Sequence, residues 1–138
     1  MQCRKRGIPA AMSASRDFQL RRTIFESFAS AGAPPQPDED LSSLAERHWI
    51  VLDDAGRIVM AHPFAAHTEG ARVDAGGRTW WGNCAWDGLG IVAALKLAEA
   101  TVTAQGITAS VSGDAVSGDA VFHVLVPARR WWDDIGFT

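Results

Sequence analysis

Cys84 and Asp87 stand three residues apart in the stretch WGNCAWDGLG (residues 81–90), where an alternating pattern gives way to a helical one. On a helix, residues at this spacing lie one above the other with β-carbons about 5–6 Å apart, so a thiol and a carboxyl can face one small space. In the first turn, unpaired amides and the positive end of the helix dipole favour the thiolate, the form that attacks electrophiles and binds metals. An ionised Asp87 works the other way, raising the thiol pKa, and the same coupling keeps one proton between the two groups. A shared proton is what an acid catalyst delivers. The plainer competing reading is that Cys84 is a small apolar filler, since free cysteine is among the most buried residue types, and Asp87 a solvated helix residue.

Several elements must position that pair. A helix from about Cys84 to Leu97 offers Trp86, Leu89, Ala93 and Leu97 for burial. Gly88 and Gly90 inside it cost about 1 kcal/mol each relative to alanine, so they mark close packing, a ligand approach or a poorly formed helix. Ahead of it, ARVDAGGRTWWGN (71–83) reads as a hairpin turning at Gly76 and Gly77, with Trp80 and Trp81 ending the second strand. Residues 100–126 alternate well enough for strands, notably ATVTA and AVFHVLV. Between these lies the five-residue tandem repeat VSGDAVSGDAV (111–121), read as a turn segment or local duplication because it is too short for a solenoid.

Upstream, residues 1–14 carry no periodic pattern and are expected to be disordered, with Cys3 exposed. A helix from Ser15 has Leu20, Ile24 and Phe28 four apart and stops at Gly32, before the helix-breaking APPQP. A second helix is expected from about Asp38, with Leu41, Leu44, Ala45 and His48 on one face. WIVLDDAGRIVM (49–60) reads as a hairpin turning at Gly56, and AHPFAAHTEG (61–70) as a linker. Two helices and a hairpin suggest a reduced winged-helix-like module over residues 15–62, followed by a second unit over 63–138.

The composition bounds the function classes. A chain of 138 residues can bury a core of its own, and 47% apolar with 21% charged residues is ordinary globular usage. The net charge of −3 gives no electrostatic reason to expect nucleic acid or an anionic membrane. DNA is further disfavoured because the candidate groove-facing helix carries Asp38, Glu39, Asp40 and Glu46 against Arg47. No apolar run approaches the roughly 18 residues of a membrane span, and the basic start lacks the apolar stretch of a secretory signal, which points to the cytoplasm. Two cysteines make no disulfide framework.

From about Arg57 onward the chain resembles the alkylmercury lyase (organomercurial lyase) family, in RIVMAHPF, GGRTWWGNCAWDGLGI and VPARRWWDDIGFT. The resemblance implies an α+β fold: a winged-helix-like N-terminal part, then a core of short antiparallel strands and helices around the active site. It implies that Cys84 matches the family's first mercury-binding cysteine and Asp87 its proton-handling aspartate. Thiolate sulfur is the soft donor expected to capture an organomercurial, and Asp87 would pass a proton to the carbon, releasing a hydrocarbon and leaving Hg(II) on sulfur. No cofactor is needed. Low-molecular-weight thiols are the expected co-reactants, and Trp81 and Trp86 are candidates to line a dry pocket for the organic group.

The chain departs from the family in one respect that bears on chemistry. Relatives place a second mercury-binding cysteine directly after the stretch matching DDIGFT, whereas this sequence ends at Thr138. A truncated or divergent member with altered activity is therefore expected, along with an uncovered apolar surface. Two alternatives stand beside the lyase: a noncatalytic thiol protein holding a soft metal or small apolar ligand, and a winged-helix regulator sensing such ligands. His62 and His67 match no common zinc spacing, and His123 reads as a structural residue in a strand. Arg129 and Arg130 are expected to pair with Asp133 and Asp134 at the surface.

Overall fold

The apolar stripe of the first helix decides how the chain begins to pack. In the computed structural model, which describes residues 10–119, 121, 126–131 and 133, α1 spans Ala10–Ala31, starting five residues before the signal at Ser15. Leu20, Ile24 and Phe28 are buried on one side of it. Gly32 ends the helix in the left-handed region (φ 71°), and its N–H donates to the carbonyl of Phe28 at 2.8 Å. Cys3 lies outside the described residues.

The second helix, α2 (Ser42–Glu46), is shorter than expected from Asp38. Asp40 instead accepts the Ser42 N–H through its side chain at 3.0 Å, the local bond by which aspartate starts helices rather than extends them. At the other end His48 takes φ 57°, and the Trp49 N–H returns to the Leu44 carbonyl at 2.9 Å, a closing bond that forbids another turn. Leu44 is fully buried, and Ser43 Oγ donates to the buried Asp17 of α1 at 2.7 Å.

The expected hairpin forms from β1 (Val51–Leu52) and β2 (Ile58–Ala61), antiparallel, around a turn in which Asp53 Oδ1 accepts the N–H groups of Ala55 and Arg57. The supposed linker corrects the sequence reading. Its Phe64–Ala65 forms a third strand, β3, paired antiparallel with β2, and both residues are buried. Phe64 stacks on Phe28 at 5.4 Å between centroids and meets Phe25 edge-on at 5.8 Å. Flanking His, Pro and Gly made the stretch look solvated, but two apolar residues suffice to dock it.

The larger sheet is antiparallel in the order β5-β4-β6-β7-β8, from β4 (Ala71–Ala75), β5 (Arg78–Gly82), β6 (Glu99–Ala104), β7 (Ile107–Ser112) and β8 (Ala115–Ser117). The repeat is thus more than a turn: its first copy turns at Gly113 and Asp114 and its next residues pair back as β8. Of AVFHVLV, residues 120 and 122–125, including His123, lie outside the described residues. One face, with Ala71, Val73, Trp80, Val102 and Val111, is buried beneath α3 (Ala85–Ala94) and α1. Trp80 Nε1 and Arg78 Nη2 donate to the Ala29 carbonyl of α1 at 3.1 and 2.8 Å, and Arg78 also reaches the Ser30 carbonyl. Strand β5 thereby satisfies carbonyls that the helix end leaves without intrahelical partners.

A 3-10 turn (Ala128–Arg130) follows near the end, where Arg130 Nε pairs with Asp133 at 3.2 Å; Asp134 and Trp132 lie outside the described residues. The fold is α+β, with two antiparallel sheets and few helices. No described helix is long and apolar enough to cross a membrane.

Candidate functional site

Three glycines let the site form. A β-carbon on Gly88 would fall 2.6 Å from Val102 Cγ1, so α3 lies closer to β6 than any larger residue would permit. One on Gly82 would fall 2.8 Å from the β-carbon of Asp87, and one on Gly90 would fall 3.1 Å from Pro63. Of the meanings the sequence left open for Gly88 and Gly90, close packing is the one the fold uses. Asp87 sits directly over the backbone of β5.

Helix α3 begins one residue later than expected, so Cys84 is its N-cap, extended at φ −141°, and its carbonyl accepts the Gly88 N–H at 3.0 Å. The thiol and carboxyl still meet: Cys84 Sγ lies 3.7 Å from Oδ2 of Asp87, in the range of a sulfur hydrogen bond. Cys84 is partly exposed, while Asp87 is 8% exposed. The competing reading of a solvated Asp87 therefore fails, whereas Cys84 keeps part of its surface open to solvent.

The electrostatics resolve the opposition seen in the sequence. Burial, as the largest effect, pushes the Cys84 thiol up, and the charge and hydrogen bond of Asp87 add to it. The backbone amides of Asp87 and Trp86 pull the other way without winning. The resting pair is a protonated thiol donating to the Asp87 carboxyl. Such a pair stores its proton on sulfur until something that binds sulfur displaces it.

The sequence passed over a third member. His62 Nδ1 lies 3.4 Å from Oδ1 of Asp87, so the carboxyl's two oxygens are divided between thiol and imidazole. The signal available was the position of His62 in the turn between two strands, invisible while residues 61–70 passed for a linker. His67 is not part of this contact; its Nδ1 is buried without a hydrogen-bond partner among the described residues. Among the described residues no group of three or more His, Cys, Asp and Glu could hold a metal ion.

The tryptophans separate. Trp86, in the first turn of α3, is 57% exposed. Trp81 is half-buried opposite Arg72 on β4, and strand alternation turns it away from the face that Trp80 and Gly82 share with Asp87. Two surface grooves lie elsewhere. One of about 490 Å³ between α3 and β7-β8 is lined by residues including Leu89, Leu97 and Val116, and one of about 420 Å³ lies between α1 and the Pro35–Pro37 segment.

No family model matches this sequence, and no curated protein matches it. A solved structure does: the crystal structure of the mercury-bound form of MerB2 shares the fold at a TM-score of 0.58 and 22% sequence identity, over 80% of this chain and 60% of that one. The chain thus spans about 60% of the length of that neighbour, and at this identity the likeness is one of fold.

Proposed function

We propose that the protein is an organomercurial lyase-like enzyme, cleaving carbon–mercury bonds by protonolysis with Cys84 as the mercury-capturing sulfur and Asp87 as the acid. The observation that carries this reading is the 3.7 Å approach of Cys84 Sγ to a buried carboxyl oxygen of Asp87. The fold shared with a mercury-bound protein supports it, as do the residues that resemble the alkylmercury lyase family. The division into a winged-helix-like module (15–62) and a lyase-like core (63–138), action on mercury in the cytoplasm, and mercury resistance as the biological role belong to the same proposal.

The chemistry follows from the pair. An organomercurial R–Hg–X reaches the partly exposed sulfur, the thiol proton passes to the Asp87 carboxylate, and sulfur displaces X⁻ to give R–Hg–S. Protonated Asp87 then delivers its proton to the mercury-bound carbon. The carbon–mercury electron pair becomes the new C–H bond, the hydrocarbon RH leaves, and Hg(II) stays on sulfur. A low-molecular-weight thiolate supplies the second sulfur to Hg(II), and another displaces Cys84, whose sulfur takes up a proton from solvent. The exposed indole of Trp86, two residues along the chain from Cys84, offers an apolar surface to the organic group.

Incubation with phenylmercury and excess small thiol is expected to release benzene catalytically, and the Cys84→Ser variant to release none. Stoichiometric retention of mercury without benzene would instead identify the noncatalytic thiol binder. A salt-dependent shift of duplex DNA would favour the regulator.

A further inference from the structure

A further polar group at the site is the imidazole of His62, carried on a short turn between two buried strand ends. His62 and Pro63 form the two-residue turn between β2 and β3, whose flanking residues Ala61 and Phe64 are paired with each other and buried. Pro63 lies against the backbone of α3 in the space left by Gly90. The turn is thus fixed on both strands and against the helix that carries Asp87. Among the described residues the polar contact of the His62 ring is Nδ1 to Oδ1 of Asp87 at 3.4 Å, and Nε2 is buried with no hydrogen-bond partner.

That asymmetry selects where the proton sits. With hydrogen on Nδ1, the N–H donates to the carboxylate and only a lone pair at Nε2 stays unpaired. With hydrogen on Nε2 alone, a buried N–H has no acceptor while the bare Nδ1 faces a carboxylate oxygen, two acceptors against each other. The hydrogen bond made by one ring nitrogen thus sets the state of the other.

We infer that His62 is a positioning residue: its Nδ1–H holds Oδ1 of Asp87 and so keeps Oδ2 turned toward the sulfur of Cys84. As a mechanistic role this rests on the lyase reading, whereas the contact itself does not. A carboxyl with two soft torsions, anchored at one oxygen, presents the other in one place. Such placement is what a proton transfer between sulfur, carboxyl and carbon requires. The same turn couples the small sheet to the first turn of α3, so the site is assembled from both sheets.

Two measurements test it. Long-range proton–nitrogen NMR of the full chain reports which ring nitrogen of His62 carries hydrogen; a protonated Nδ1 is expected, lost in Asp87→Ala, and a bare Nδ1 in the unaltered protein overturns the inference even if no lyase activity exists. With phenylmercury as substrate, His62→Leu is expected to lower kcat about 10- to 100-fold with KM within about twofold. His62→Asn, whose amide N–H can stand near the position of Nδ1, is expected to recover most of the loss. Wild-type kcat in the leucine variant, or an asparagine variant as slow as the leucine one, overturns it. Absence of turnover in every form, with Nδ1 protonated, counts against the lyase reading and leaves the contact standing.

Discussion

Helices α1 and α3 both cover apolar surface, but by opposite means. α1 meets β3 through large rings, Phe25 and Phe28 around Phe64, a contact whose strength lies in area. α3 meets its strands through glycines, Gly88 over β6 and Gly82 beneath Asp87, a contact whose value lies in proximity. Aromatic packing spreads its energy over many atoms and tolerates small shifts, whereas a glycine contact fixes one backbone against another within a few tenths of an ångström. The first holds the molecule together. The second sets where a carboxyl stands relative to a sulfur.

The widest separation between the two should appear with Phe28→Ala, which removes a ring of the cluster without touching the His62–Pro63 turn. Loss of a fully buried ring from the aromatic cluster is expected to cost about 3–5 kcal/mol of stability, read from chemical denaturation, with residual activity per folded molecule close to the original. A loss below about 1 kcal/mol would mean that the cluster does not carry the fold in the way described.

Gly82→Ala should do the reverse. Its β-carbon would meet that of Asp87 at 2.8 Å and backbone at 3.1 Å, so the first turn of α3 must move. Turnover of phenylmercury is expected to fall roughly tenfold or more under conditions where circular dichroism shows the chain fully folded. Unchanged turnover in a folded Gly82→Ala variant would erase the distinction between the two contacts.

The smallest effect is in pH. Burial, then Asp87, raises the Cys84 thiol pKa in the folded chain. The folded state therefore holds this proton more tightly than the unfolded state, which contributes stability fully present below the ordinary thiol range and lost as pH rises through the raised value. Wild-type protein is expected to lose stability more steeply in alkali than Cys84→Ser, and Asp87→Asn to bring the alkylation midpoint of Cys84 downward. A midpoint unmoved by Asp87→Asn would remove the carboxyl from the sulfur's surroundings.

What could be read in the sequence follows the same divide. Leu20, Ile24 and Phe28 at helical spacing, and the glycine turns of two hairpins, declared themselves because periodicity and turn chemistry are local. Cys84 and Asp87 were legible for the same reason: two residues three apart at the start of one helix need no tertiary information to meet. His62 was not, because its role depends on a pairing between Ala61 and Phe64, on a gap left by Gly90, and on a partner, Asp87, 25 residues along the chain. Trp81 misled because at the end of a short strand the alternation that buries Trp80 sends its neighbour to the other face. The extent of α2 was missed because the local bond of Asp40 to Ser42 and the left-handed backbone of His48 just past the helix outrank the apolar spacing around them.

The decisive measurement separates capture of mercury from cleavage. Asp87→Asn, incubated with phenylmercury and excess thiol, should be followed by intact-protein mass spectrometry and by benzene in the headspace. The expected result is one phenylmercury carried on Cys84 with no benzene released, since sulfur can still bind but no carboxyl remains to give up a proton. Benzene at the wild-type rate from Asp87→Asn would contradict the assignment of Asp87 as the acid and, with it, the pairing of sulfur and carboxyl as the working site.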